Sequence, residues 1–244
     1  MLIPIQLCEY VLANGLENEL RVLIAFKYIG NGQLKNDLLN KNKLRHLLDI
    51  NSIVTLNKYI NKLEQLNWIG IDRRRKLINV RGFDKIRINY GLKNRKAVKL
   101  KKNDLKNFKG FCTGAFIGSL CITQKRRKWN WEDGSIKRRT FSTSHSTSYF
   151  MIAINSLAKI LSISISKAHR LKMLAFESKY ITVKQRYNKL DILVSEVNRY
   201  KNYYPEYGNR LIIQGNEVYE QLIDFIKCNM NFKNRKSISY DIKK

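Results

Sequence analysis

Two stretches of this chain, Ser52 to Ile69 and Ser164 to Ile181, align residue for residue without a gap. Each opens on a serine whose hydroxyl can satisfy an orphan amide at the start of a helix. Each then runs through an amphipathic segment into an aromatic residue followed by isoleucine. The alignment sets Leu56 on Ala168, Lys58 on Arg170, Leu63 on Ala175, Trp68 on Tyr180 and Ile69 on Ile181. Leucine at helical spacing recurs by chance in many helical chains; a repeated cap, basic outer face and aromatic exit is a stronger constraint. The chain is therefore expected to contain two copies of one small, helix-based unit.

The flanking sequence completes each unit. Apolar Leu20, Leu23, Ile24 and Tyr28 predict a helix from Glu17 to Ile29, broken by Gly30-Asn31-Gly32. A second helical region is expected over Leu34 to Leu48, in one or two pieces, with Leu38, Leu39, Leu44, Leu47 and Leu48 inward. The Ser52 helix should reach about Leu66, burying Leu56, Tyr59 or Ile60, Leu63 and Leu66. Its outer face then carries Ile53, Val54, Asn57, Lys58, Asn61 and Lys62. Trp68 to Ile71 and Leu77 to Val80 read as hairpin strands around the turn Arg73-Arg74-Arg75-Lys76. In the second copy, an earlier helix spans Gly110 to Thr123, with Gly110, Gly114 and Gly118 four apart and suited to close helix packing. Ala158 lies in the supporting helix, Ser162-Ile163 in the turn, and Ser164 is the next cap. Strands Ile181 to Lys184 and Arg210 to Gln214 are expected to pair as an extended hairpin around Tyr200, Tyr203, Tyr204 and Tyr207. A last helix is expected from Glu217 to Cys228.

Residues 15 to 83, with the motif S-I-V-T-L-N-K-Y-I-N-K-L-E-Q-L-N-W-I, resemble a winged helix-turn-helix domain, and the second copy does too. Asn67 stands where many such domains have glycine, but asparagine also enters the left-handed conformation. The resemblance implies that residues just after the cap enter the DNA major groove and that the hairpin carries basic residues to the backbone or minor groove. The candidate DNA-binding residues are then Ser52, Ile53, Val54, Asn57, Lys58, Asn61, Lys62 and Arg73, Arg74, Arg75, Lys76 in the first copy. Ser164, Ile165, Ser166, Lys167, His169 and Arg170 are their counterparts in the second. Asn57 suits an adenine edge, Lys58 and Arg170 a guanine edge, and Ile53 or Ile165 a thymine methyl, although either isoleucine could complete a core. The implied class is mainly α with small β-hairpin wings (α+β), as two winged helix-turn-helix domains. The implied division is a first domain at 1–90, a basic linker at 91–109, a second domain at 110–215 with a basic insertion at 124–149, and a C-terminal helix and basic tail at 216–244. Two such domains on one basic chain resemble, in architecture, plasmid and phage replication initiators, in which both grip duplex repeats at an origin.

Charge points the same way. Lys and Arg number 47 against 19 Asp and Glu, a formal net charge of +28, so a polyanionic partner is expected. Hydrophobic residues at 44% supply enough apolar material for one or two cores, so the charge is not a mark of disorder. Double-stranded DNA is the expected partner. Lys125, Arg126, Arg127, Lys128, Arg138 and Arg139 in the basic insertion are expected at phosphates. Trp129 and Trp131 beside them could stack on bases of single-stranded nucleic acid, but their alternation equally suits a half-buried strand. A homodimer is also compatible with the sequence.

Other classes find little support. His46, His145 and His169 are too dispersed for a rolling-circle nuclease, and no arginine motif accompanies a tyrosine-recombinase reading of His169, Lys172 and Tyr204. No phosphate-binding loop, HExxH or GxSxG motif occurs, so no enzyme activity and no cofactor are expected. Carboxylates such as Asp72, Glu132, Asp133 and Asp191 form no metal-ligand pattern and suit surface ion pairs. The dispersed Cys8, Cys112, Cys121 and Cys228 read as reduced thiols, not zinc ligands. The start lacks the features of a signal peptide, and the run Phe111 to Ile122 is too short to span a bilayer, so a cytoplasmic, non-membrane protein is expected. A transcriptional regulator and a nonspecific packaging protein are the alternatives to initiation.

Overall fold

The computed structural model describes residues 1–30, 32–35, 40–94, 96–132, 148–205 and 210–234, with 125–132 as helical backbone. The first half runs β1 (Leu2–Pro4), α1 (Ile5–Asn14), α2 (Glu17–Ile29), β2 (Gln33–Lys35), α3 (Lys41–Leu47), α4 (Ile53–Gln65), β3 (Ile69–Asp72), β4 (Leu77–Val80) and α5 (Phe83–Asn89). Next come β5 (Lys96–Lys99), a 3-10 turn at Lys102–Leu105 and α6 (Phe108–Glu132). The remainder is β6 (Phe150–Met151), α7 (Ile154–Leu161), α8 (Ile165–Glu177), β7 (Ile181–Lys184), β8 (Tyr187–Leu190), a 3-10 turn at Val194–Glu196, α9 (Val197–Tyr203), β9 (Leu211–Gln214), β10 (Glu217–Gln221), β11 (Phe225–Cys228) and β12 (Phe232–Asn234). The class is mixed α+β, with more strand than the expected hairpins provide.

The repeat is carried into three dimensions. In the first half, helix α2 leads to β2, α3, α4, β3 and β4, and the sheet order is β2-β4-β3. In the second, α6 leads to β6, α7, α8, β7 and β11, and the order is β6-β11-β7. All pairings are antiparallel. Helix α4 packs on α2 and α3, and α8 packs on α6 and α7. The helix exits match bond for bond: Trp68 N donates to Leu63 O at 2.9 Å and Tyr180 N to Ala175 O at 3.0 Å. Asn67 (φ 59°) and Lys179 (φ 60°) both hold the left-handed conformation one residue before the aromatic. Asparagine adopts it readily and lysine less so, which makes the geometry the shared element of the repeat rather than the residue.

Several expectations are corrected. The helical region expected from Leu34 begins only at Lys41, where Asn40 Oδ1 accepts from Lys43 N at 2.9 Å. Leu34 instead lies on β2 opposite Ile78, while Leu38 and Leu39 fall outside the described residues. The 181–184 and 210–214 strands do not pair with each other. Ile181–Lys184 pairs with β11, while Leu211–Gln214 turns back onto β10 through Gly215-Asn216, with Gly215 at φ 61°. A two-residue loop with glycine first favours such a tight hairpin. The helix expected over Glu217 to Cys228 is two strands. Val218, Leu222, Phe225 and Ile226 do fall at helical spacing, but Ile226, Cys228, Met230 and Phe232 are buried in alternation. A period of two on a buried face is the strand pattern, and it prevails here because β11 fills the gap between β6 and β7.

The stretch 91–109, expected as a basic linker, is also structured. Strand β5 is the centre of a sheet of order β1-β5-β12, so the N-terminal strand, the middle of the chain and a late strand meet there. Ala97, Val98, Leu100 and Leu105 are buried while the lysines between them face outward. One contiguous apolar cluster includes Leu23, Trp68, Phe116 and Ile226 and so spans both repeats. Helix α6 runs through it against α1 and α8. Its glycine stripe permits the close approach of α8, of Tyr180 just after it, and of Cys228 and Phe232. A Cβ at Gly110 would lie 2.9 Å from Leu174 O, and one at Gly114 would lie 2.5 Å from Tyr180 Cβ. Close packing within the fold therefore accounts for the spacing, and no helix among the described residues is long and apolar enough to cross a membrane.

Candidate nucleic-acid interface

Helix α4 begins at a satisfied cap. Ser52 Oγ accepts from Thr55 N at 3.0 Å and lies 2.9 Å from Thr55 Oγ1. Leu56, Ile60 and Leu63 are buried at i, i+4 and i+7, while Tyr59 and Leu66 are half-buried at the margins. That register leaves Ile53, Val54, Lys58, Asn61 and Lys62 exposed, Val54 at 78%. Asn57 is half-buried, and its Oδ1 accepts from Lys41 Nζ at 3.1 Å. The turn before the helix is held by Arg45, which donates to Asn51 O at 3.0 Å. Lys41 and Arg45, which sequence reasoning passed over, thus support the candidate face.

The β3–β4 turn is built as expected, with Arg73, Arg74, Arg75 and Lys76 all exposed. Its geometry depends on an acidic residue. Asp72 Oδ1 accepts from Arg75 N at 3.0 Å, and Lys76 closes the turn at φ 53°. The carboxylate read as a surface ion-pair partner also brings its other oxygen to 4.0 Å from Arg75 Nε, with an exposed arginine. Its larger structural contribution is the bond to the turn backbone.

The second copy reproduces the helix but not the tight turn. Ser164 Oγ accepts from Lys167 N at 3.2 Å, and Ser162 supplies a left-handed residue at φ 52° between α7 and α8. Ala168, Leu171, Lys172 and Ala175 face inward. Ile165, Ser166, His169 and Arg170 are exposed and Lys167 is half-buried. Both serines therefore act as caps, which makes them helix-positioning groups. Where the first copy has a four-residue turn, the second carries residues 185–224 between β7 and β11. The extended hairpin expected for that copy, around its tyrosine-rich stretch, is instead an insert that contains β8, α9, β9 and β10.

Beside α4 lies an open groove of about 680 Å³ lined by Glu19, Val54, Asn57, Lys58, Asn61, Lys62 and Gln65. Glu19 is buried, and its Oε2 has no hydrogen-bond partner among the described residues. Burial raises its carboxyl above the ordinary glutamate range; its own backbone amide, Lys62 and Lys58 oppose that shift, and Glu17 adds to it. A carboxylate thus sits at the back of an otherwise cationic and amide-rich face. Nothing in the local sequence signals it, since the burial comes from tertiary packing.

The remaining candidates belong to neither α4, α8 nor the β3–β4 turn. Lys125 to Lys128 lie on the backbone of α6, so the expected basic insertion at 124–149 begins as a continuation of that helix. Helical backbone at Trp129 and Trp131 excludes the strand expectation for that pair. Arg138 and Arg139 lie outside the described residues. The four cysteines are buried and unbridged, and no group of three or more His, Cys, Asp or Glu among the described residues could hold a metal ion. No protein-family model, curated protein or solved structure matches this chain.

Proposed function

We propose that the chain binds double-stranded DNA sequence-selectively through two winged helix-turn-helix units. The observation that carries this reading is the duplicated arrangement at α4 and α8. Each helix is capped by serine, braced by a shorter helix, and presents apolar and basic residues from its first two turns to solvent. That pattern suits insertion into a major groove. Val54, Lys58 and Asn61 in one unit, and Ile165, His169 and Arg170 in the other, supply methyl contacts, donors and acceptors for base edges. Arg73 to Lys76 supply phosphate contacts. The net charge of +28 supports a polyanionic partner but carries no sequence preference. Origin recognition in replication is the role we assign to the contact, on the strength of the tandem architecture.

Selection from random duplexes, followed by titration of selected and scrambled sites at rising salt, tests the reading. Selective binding that survives salt while scrambled binding disappears is the expected result. Loss of both in parallel would leave charge-driven packaging as the activity. Footprinting with local melting on a selected site tests the replication role separately.

A further inference from the structure

Asn57 is half-buried on α4 and lines the open groove beside that helix. Its carboxamide has two unlike ends: Oδ1 only accepts hydrogen bonds and Nδ2 only donates them. Lys41 Nζ donates to Oδ1 at 3.1 Å. An ammonium has three donors and no acceptor, so the end of the amide that faces it is necessarily the oxygen. The contact therefore fixes which way the amide points. Lys41 is itself held in place, being half-buried as the first residue of α3. Asn40 Oδ1 secures the start of that helix by accepting from Lys43 N, and Arg45 ties its last turn to Asn51 O just before α4.

That orientation changes what Asn57 can read. An asparagine contact to adenine is bidentate: Oδ1 accepts from the N6 amino group while Nδ2 donates to N7. In this chain the oxygen is engaged by a cation, which repels an incoming amino group, so only the donor end of the amide is offered. Guanine presents two acceptors, N7 and O6, on the corresponding edge. They suit Nδ2, and the field of the adjacent ammonium favours the same electronegative edge. We propose that Lys41 is a positioning residue that makes Asn57 a reader of guanine. The proposal rests on the reading of α4 as a recognition helix, and it replaces the adenine edge expected for Asn57 from sequence.

Selection from random duplexes by the full chain, followed by affinity titration of the selected site with each base substituted, reads this preference. Asn57→Ala locates the position that Asn57 contacts, as the one where preference is lost. Wild type should favour guanine over adenine there by about fivefold or more. Lys41→Met, which frees Oδ1, should transfer the preference to adenine, whereas Lys41→Arg, which keeps a cationic donor, should retain guanine. A role of Lys41 confined to stability or to phosphate contact would lower affinity for every duplex without changing the preferred base. Adenine preferred at that position by wild type, guanine retained by Lys41→Met, or full preference kept at every position by Asn57→Ala would each overturn the assignment while leaving the DNA reading intact. Failure of wild type to select any motif would overturn both.

Discussion

Lys172 Nζ donates to Asp224 Oδ2 at 2.6 Å, with both side chains more than nine-tenths buried. Lys172 lies on α8, and Asp224 directly precedes β11, so the pair joins the candidate recognition helix to the strand that re-enters after the insert. Asp224 O also accepts from Ile152 N at 3.4 Å, beside β6. Breaking the pair leaves a buried charge without its counterion. Asp224→Ala is expected to destabilise by about 3–5 kcal/mol, measured by urea denaturation, whereas joint replacement by Lys172→Met and Asp224→Leu should restore most of the loss. Equal loss in the single and joint variants would show that packing, and not charge, dominates there.

The two serine caps offer a symmetrical test. Each hydroxyl accepts an amide three residues on, at 3.0 Å for Ser52 and 3.2 Å for Ser164. Ser52→Ala and Ser164→Ala should each cost about 1 kcal/mol in chemical denaturation, and glycine at either site only a few tenths. Retained stability in both alanine variants would remove the caps from the energetic basis of the repeat.

What the sequence disclosed follows the range of the interactions involved. Ser52, Ser164, the buried Leu56 and Leu63, and the β3–β4 hairpin depend on neighbours a few residues away, so pattern alone located them. Strand β5 did not announce itself because Ala97 and Val98 are paired by β1 and β12, which come from opposite ends of the chain. The partner of Ile181–Lys184 was misassigned for the same reason. The nearest apolar strand in sequence, Leu211–Gln214, closes on β10, and the true partner lies beyond it. Alternation through Ile226, Cys228, Met230 and Phe232 was the available signal, masked by helical spacing just upstream. Glu19 was invisible because its importance comes from burial against α4, a property of tertiary packing.

Glu19 gives a prediction with a defined sign. Its carboxyl is raised, principally by burial, so its contribution to stability is fully present below the unfolded glutamate value and is lost as pH rises through the folded one. Glu19→Gln should therefore stabilise the protein at neutral pH relative to wild type, with the difference shrinking in acid. Removing a negative charge beside Lys58 and Lys62 should also tighten DNA binding by about two- to fivefold at low salt. Affinity titrations at two salt concentrations check the second effect; weaker binding would mean that the carboxylate positions the lysines or contacts DNA directly.

The cysteines are predicted to be chemically silent in the native state. Burial pushes the Cys121 and Cys228 thiols up to about 12, and Cys112 is also raised, first by burial and then by the adjacent Cys8. Thiolate is the reactive form, so alkylation at pH 8 should be slow until the protein is unfolded. For Cys121 and Cys228 the linked stability is fully present below the unfolded value near 9 and is lost as pH climbs toward about 12. Rapid stoichiometric labelling of native protein by a thiol reagent would contradict this.

Arg170 and the Arg73–Arg75 turn separate reading from holding. Arg170 is exposed in the second turn of α8, where the proposed bidentate contact to guanine would contribute about 1–3 kcal/mol of discrimination. Arg73, Arg74 and Arg75 are exposed on a rigid turn anchored by Asp72, which suits phosphates. Arg170→Ala should thus relax preference at a single base position in a selected duplex while leaving the salt dependence nearly intact. Alanine at all three turn arginines should weaken every duplex alike and flatten the log–log salt slope by about 0.9 for each phosphate that is no longer neutralised. The two variants are informative together because charge loss alone affects both. If Arg170→Ala lowers affinity uniformly with full base preference retained, α8 holds the backbone, and base readout falls to α4 through Val54, Lys58 and Asn61.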